Sequence, residues 1–137
     1  MWNTASGQLE WALTKHNLWI KALAFSSNGN MLASGGYDGS LRLWAAHTGH
    51  ELAVLQHHNA GISSVAFAAD NRTLACADTQ GQVNIYDSWT GALHCSLPPF
   101  QIAVDEIAFS SQCDYLSGLA LACATTREIT LWHIDAL

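Results

Sequence analysis

Charge is scarce in this 137-residue chain, and basic charge most of all: five Lys and Arg stand against eleven Asp and Glu, and only 12% of residues are charged. A net charge of −6 argues against a surface built to neutralise phosphates, so nucleic acid is not an expected partner. Long apolar runs are missing too. The longest small-apolar run, residues 119–124 (LALACA), is far short of the ~20 residues that span a bilayer. Met1-Trp2-Asn3-Thr4 has no charged stretch leading into an apolar one, so neither a membrane span nor a secretory signal is read. The four cysteines, Cys76, Cys95, Cys113 and Cys123, form no C-x-x-C pair, which suits free thiols in a reducing compartment, cytoplasmic or nuclear. There is no G-x-x-x-x-G-K-[ST] phosphate loop and no G-x-S-x-G elbow, so the chain is not itself a P-loop ATPase and lacks the mark of an α/β-hydrolase. The single Asn71-Arg72-Thr73 triplet carries little weight without secretory evidence. With half its residues hydrophobic, the chain reads as folded rather than disordered.

What is present is a period. An aromatic recurs at Trp2, Trp44, Tyr86 and Trp132, with spacings of 42, 42 and 46 residues. Its surroundings recur with it: Gly7, Gly49 and Gly91; Leu13, Leu55 and Leu97; His16, His58 and Phe100; Phe25, Phe67 and Phe109. A period of this length marks a repeat protein in which each unit is one supersecondary element stacked on the next. Only the third unit departs from the frame, by an expected four-residue insertion within 110–119, where the composition is that of a loop.

Each period holds short strands separated by turn signals. Residues 20–25 form an apolar strand, Asn28-Gly29-Asn30 a turn, 31–34 a second strand, and Asp38-Gly39 another turn. Leu41-Arg42-Leu43-Trp44 alternates apolar with polar as a third strand should, Thr48-Gly49 turns the chain, and 51–55 make a fourth. The second unit repeats this over 62–67, 73–76, 82–86 and 92–97; the third offers 104–109, 118–123 and 128–132. Four antiparallel strands per unit make one propeller blade, so the expected fold is all-β, with units of roughly 2–43, 44–85 and 86–132.

The stretch comprising His16, Ala24-Phe25, Leu32-Ala33-Ser34-Gly35-Gly36, Tyr37-Asp38-Gly39 and Leu41-Arg42-Leu43-Trp44 resembles the WD-repeat β-propeller family. The resemblance implies a hydrogen-bonded network of His16, Ser34, Asp38 and Trp44. The second repeat keeps His58 but places Cys76, Gln80 and Tyr86 at the other three positions. The third has Phe100, Ala122 and Thr126, so that only Trp132 survives of the four. Two of the three networks are therefore expected to be incomplete, which predicts less rigid second and third blades.

His16, Ser34 and Asp38 do not make a hydrolase triad, because a strand serine tied to a buried histidine has no route to substrate. His57, His58, Cys76 and Cys95 are zinc-ligand types but have no ligand spacing on a turn, so neither a metal nor another cofactor is expected. Asp105 and Glu106 are adjacent on a strand, point to opposite faces and cannot share a substrate. No catalytic residues are assigned.

Protein binding is what the resemblance implies. Partners of such propellers dock on the face formed by the loop before the first strand and the loop between the second and third. Carried onto this chain, the contact positions are Trp19, Lys21 and Tyr37, then Gly61, Ser63 and Thr79, then Ala103, Asp105 and Thr125. Of these, Trp19, Lys21, Tyr37, Ser63, Thr79 and Asp105 are the candidate partner-binding residues, centred on the first repeat. Aromatic pairs bury large area at low entropic cost, which makes Trp19 and Tyr37 the expected centre of binding energy.

A ring needs four to eight blades and three repeats do not close one. The chain is read as opening with the end of a third strand at Trp2 and a complete fourth strand over residues 8–13, and as ending on a third strand at Trp132. These are complementary parts of one blade. Closure is therefore expected from copies of the chain itself or from another propeller segment. The functional expectation is a non-catalytic protein-interaction scaffold; the alternative is the sensor tail of a larger signalling ATPase complex.

Overall fold

Three successive antiparallel sheets carry the regular structure in the computed structural model, which describes residues 1–111 and 118–135. β1 (Ile20–Phe25), β2 (Met31–Gly36), β3 (Ser40–Ala45) and β4 (Glu51–His57) pair in that order to form blade 1. β5 (Ile62–Phe67), β6 (Thr73–Asp78), β7 (Val83–Asp87) and β8 (Leu93–Ser96) repeat the arrangement as blade 2. β9 (Glu106–Phe109), β10 (Leu119–Ala124) and β11 (Ile129–Ile134) form blade 3, which has three strands among the described residues. The ring is not closed.

The blades stack through their first strands: β5 packs on β1 and β2, and β9 packs on β5 and β6. The period-two alternation of each strand sends one row of side chains toward the next blade. Leu41 and Leu43 of blade 1 thus meet Ile62 and Val65 of blade 2 in one core, while Val83 and Ile85 meet Val104 and Ile107 in the next. Each aliphatic side chain buried this fully contributes about 1.5–3 kcal/mol.

The segments entering blades 2 and 3 are each held by the preceding blade. His58 N–H donates to the Gly39 carbonyl at 2.7 Å, and Phe100 N–H to the Gly81 carbonyl at 2.9 Å. Gly39 and Gly81 are both left-handed, at φ 75° and 88°, and a Cβ at either would collide with the carbonyl of His58 or Phe100. Glycine is required there by conformation and by close approach together.

The structure corrects three sequence expectations. Residues 8–13 form no complete fourth strand; the N-terminal segment has a single antiparallel bridge, Trp2 to Leu9. Its register is nevertheless that of the β3–β4 hairpin, since Trp44 pairs with Glu51 and Tyr86 with Leu93. The third unit carries five extra residues before its second strand, not four. Leu121 faces Phe109 and Trp132 just as Leu74 faces Phe67 and Tyr86. The turn that follows is one residue shorter, because Ala124 pairs with Ile129 where Ala77 pairs with Val83. Cys123, and not Ala122, therefore occupies the position of Ser34 and Cys76. The expected loop residues 112–117, including Cys113, lie outside the described residues.

Candidate partner-binding surface

The surface rests on a polar frame inside each blade. In blade 1, Trp44 Nε1–H donates to Ser34 Oγ at 2.8 Å, and Ser34 Oγ lies 2.7 Å from His16 Nε2. His16 Nδ1 faces Asp38 Oδ1 at 3.2 Å, so the tautomer that satisfies every partner carries its proton on Nδ1 and accepts the Ser34 hydroxyl proton at Nε2. Burial works against the Asp38 charge, but the Ser40 hydroxyl, the amides of Asn17 and Ser40, and His16 outweigh it and hold its carboxyl well below the ordinary range. The result is a braced turn between β2 and β3, of which Tyr37 is the first residue.

Blade 2 rebuilds this frame from different residues. Gln80, expected at the aspartate position, is exposed; its role passes to Asp78, whose Oδ2 lies 2.9 Å from His58 Nδ1. Asp78 is the counterpart of Gly36, and a Cβ at Gly36 would meet both Asp38 Oδ1 and His16 Nδ1. The two carboxylates thus reach the same place from positions two residues apart. Cys76 Sγ lies 3.0 Å from His58 Nε2, while Asn84 Nδ2 reaches both His58 and the Tyr86 hydroxyl at 3.3 Å. Cysteine, histidine and aspartate here have the connectivity of a nucleophilic triad. Yet Cys76 is fully buried and desolvation pushes its thiol far up, which disfavours the thiolate that a nucleophile needs.

Among the described residues, blade 3 has no such frame. Phe100 replaces the histidine and stacks edge-on against Trp132, with centroids 6.5 Å apart. Trp132 Nε1 is buried without a hydrogen-bond partner among the described residues. Thr126 does not act as the missing aspartate. Thr125, at the Asp78 position, caps the shortened turn instead, its hydroxyl accepting from the amides of Arg127 and Glu128 at 3.3 and 3.2 Å.

Above this frame sit the candidate contact residues. Tyr37 N–H donates to the Trp19 carbonyl at 2.8 Å, which extends the β1–β2 ladder by one bond and sets the two side chains side by side. Their rings meet edge to face, 6.1 Å apart at 87°, and Trp19 is 81% exposed. Blade 2 closes its ladder in the same way, Thr79 N–H to the Gly61 carbonyl at 3.0 Å. Gly61 stands where Trp19 stands in blade 1, and a side chain there would press on the Tyr37 ring. Lys21, Ser63 and Asp105 come together lower down, lining one open cleft of about 300 Å³ along the first strands of the three blades. The Ser63 hydroxyl is committed to the Val104 carbonyl, so it braces the blade 2–blade 3 junction rather than facing outward as a free donor. Lys21, Thr79 and Asp105 are exposed.

Sequence reasoning missed Asp78, Asn84 and Ser40 as frame residues; an acidic residue at the Gly36 position was the signal for the first. It also missed Trp89, exposed on the β7–β8 turn beneath the Arg72 guanidinium, which lies 5.4 Å from the ring centroid and is paired to Asp87. Among the described residues, no group of three or more His, Cys, Asp or Glu side chains could hold a metal ion, and no helix is long and apolar enough to cross a membrane.

The family description "WD domain, G-beta repeat" matches residues 7–45 and 49–87, more than half of the chain. The chain belongs to the WD-repeat family. A curated relative, the Periodic tryptophan protein 2 homolog of Schizosaccharomyces pombe, is 41% identical over 44 residues, which is 32% of this chain and 5% of that protein. The crystal structure of RRP9 WD40 repeats superposes with a TM-score of 0.81 at 20% identity over 89% of this chain, and shows the propeller fold. This WD-repeat chain spans 37% of that solved chain. WD-repeat propellers generally serve as non-catalytic platforms for protein partners.

Proposed function

We propose that this WD-repeat chain is a non-catalytic interaction scaffold whose docking surface is centred on Trp19 and Tyr37 and extends over Lys21, Thr79 and Asp105. The observation that carries the reading is the exposed edge-to-face pair, held by the Tyr37-to-Trp19 backbone bond above a braced turn. A rigid, exposed aromatic pair loses little entropy when a partner covers it and buries a large apolar area. Lys21, together with Asp105 and Glu106 in the adjoining cleft, supplies both signs of charge at the rim and so selects orientation more than affinity. Three buried or half-buried free thiols, Cys76, Cys95 and Cys123, favour a reducing compartment, cytoplasmic or nuclear.

The test is affinity capture from cell extract with the unaltered chain, a Trp19→Ala/Tyr37→Ala variant and a Trp89→Ala control, with circular dichroism on each. Loss of captured partners in the double variant alone, with unchanged spectra, supports the reading. Equal capture by all three places docking elsewhere.

A further inference from the structure

Blade 1 fills with its own side chain a place that blade 2 leaves open. Arg42 points from β3 to the same side as Trp44, and its side chain is only 13% exposed. Its Nη1 donates to Glu51 Oε2 at 2.7 Å and its Nε to Ser40 Oγ at 3.3 Å. The Ser40 hydroxyl donates to Asp38 Oδ1 at 2.7 Å, so the guanidinium is joined to the His16–Asp38 frame.

One period later, Ser40, Arg42 and Glu51 become Gln82, Asn84 and Leu93. The strand register is unchanged, since Asn84 pairs with Ser96 as Arg42 pairs with Val54, and Tyr86 with Leu93 as Trp44 with Glu51. The shorter asparagine leaves an open cleft of about 310 Å³, lined by His58, Asp78, Gln82, Asn84, Leu93 and Ser96, with the exposed Asn59 and Gln80 beside them. No Lys or Arg lines it, and Asp78 brings a carboxylate. Asp78 and Asn84 are buried, at 4% and 7% exposure. Asn84 Oδ1 already accepts from the Ser96 hydroxyl at 2.7 Å and from Gln82 Nε2–H at 3.3 Å. Acceptor capacity is therefore left on Ser96 Oγ and on the side-chain oxygen of Gln82, among the described residues.

We propose that this cleft receives an arginine side chain of a partner protein, its guanidinium taking in blade 2 the place that Arg42 takes in blade 1. A guanidinium offers five donors in a planar fork and no acceptor, and it is more weakly hydrated than an ammonium. Those properties suit a half-enclosed site with spare acceptors, a carboxylate and no competing cation. The site stands on blade 2 residues alone and does not depend on docking at Trp19 and Tyr37.

The probe is a glycyl-arginyl-glycine peptide with blocked ends, titrated into the isotope-labelled chain and followed by NMR. Saturable shifts are expected at the side-chain amides of Asn59, Gln80, Gln82 and Asn84. The citrulline counterpart, which keeps the shape and loses the charge, is expected to bind at least about tenfold more weakly. Asn84→Arg combined with Leu93→Glu rebuilds the blade 1 pair in the cleft and should abolish binding. Gln82→Ala, which removes an acceptor, should weaken it several-fold with an unchanged circular dichroism spectrum, so the test does not depend on the double variant folding. The Trp19→Ala/Tyr37→Ala variant should bind the peptide as the unaltered chain does. Equal affinity for the citrulline peptide, unchanged affinity in Gln82→Ala, loss of binding in the aromatic variant or the absence of any saturable shift each overturns the proposal.

Discussion

The Cγ2 methyl of Ile62 occupies the space that a side chain at Gly35 would need. Gly35 lies at the end of the β2 pairing, opposite Leu41, and Ile62 opens β5, so this contact sets how closely blade 2 approaches blade 1. At the next junction the counterparts are Ala77 and Val104, both fully buried in one core. One methyl has moved across the interface, leaving the combined volume similar.

Gly35→Ala is therefore expected to destabilise the chain by about 1–3 kcal/mol through overpacking, despite the gain in strand preference. Gly35→Ala combined with Ile62→Ala, which removes the Cγ2 methyl, should lose less than the sum of the two single variants. Urea denaturation of the two single variants and the double variant checks it; additive losses would show that the residues do not share the space.

Asp78, rather than Gln80, holds His58 and the turn after β6. Asp78→Ala should cost about 1–3 kcal/mol by orphaning buried donors. Gln80→Ala, at an exposed side chain, should stay within about 0.5 kcal/mol of the unaltered protein. Thermal melts of the two variants side by side decide between them.

Asp38 ionises more readily in the fold than in the unfolded chain, whose carboxyl has the ordinary value of 3.8. Its contribution is therefore complete above that value and declines as pH falls from there toward the lower folded value. Asp38→Asn should lower stability at pH 6 more than at pH 3. Denaturation midpoints at the two pH values measure the difference; an equal loss at both would mean that the charge of Asp38 is not what matters.

Burial pushes the Cys123 thiol up to about 11 and raises Cys76 further still, while Cys95 is only half-buried. Thiolate is the reactive form, so Cys95 should alkylate before either of the others in the folded protein. Peptide mass mapping after brief iodoacetamide treatment, with and without denaturant, tests the order.

The strands and turns were legible because they follow from local chemistry. Alternation along 41–44 and the Asn28-Gly29 and Asp38-Gly39 signals mark them without reference to distant residues. The third unit was harder to read, because a count of residues between Tyr86 and Trp132 sums an insertion and a deletion. Four net residues concealed five added before β10 and one removed after it, which put Ala122 where Cys123 belongs. Asp78 was missed for a related reason: alignment by position cannot show that a carboxylate two residues earlier reaches the same histidine.

Sequence alone determined the period, the all-β blades and the WD-repeat family, since these depend on the spacing of apolar and turn residues along the chain. Only the tertiary structure decided that blade 2 keeps a complete polar frame, that Ser63 is tied to Val104, and that Thr130 and Trp132 hold buried polar atoms without partners among the described residues. Those outcomes turn on distances between residues some 20 to 40 positions apart, and such distances are set by how the blades pack, not by the order of residues within any one strand.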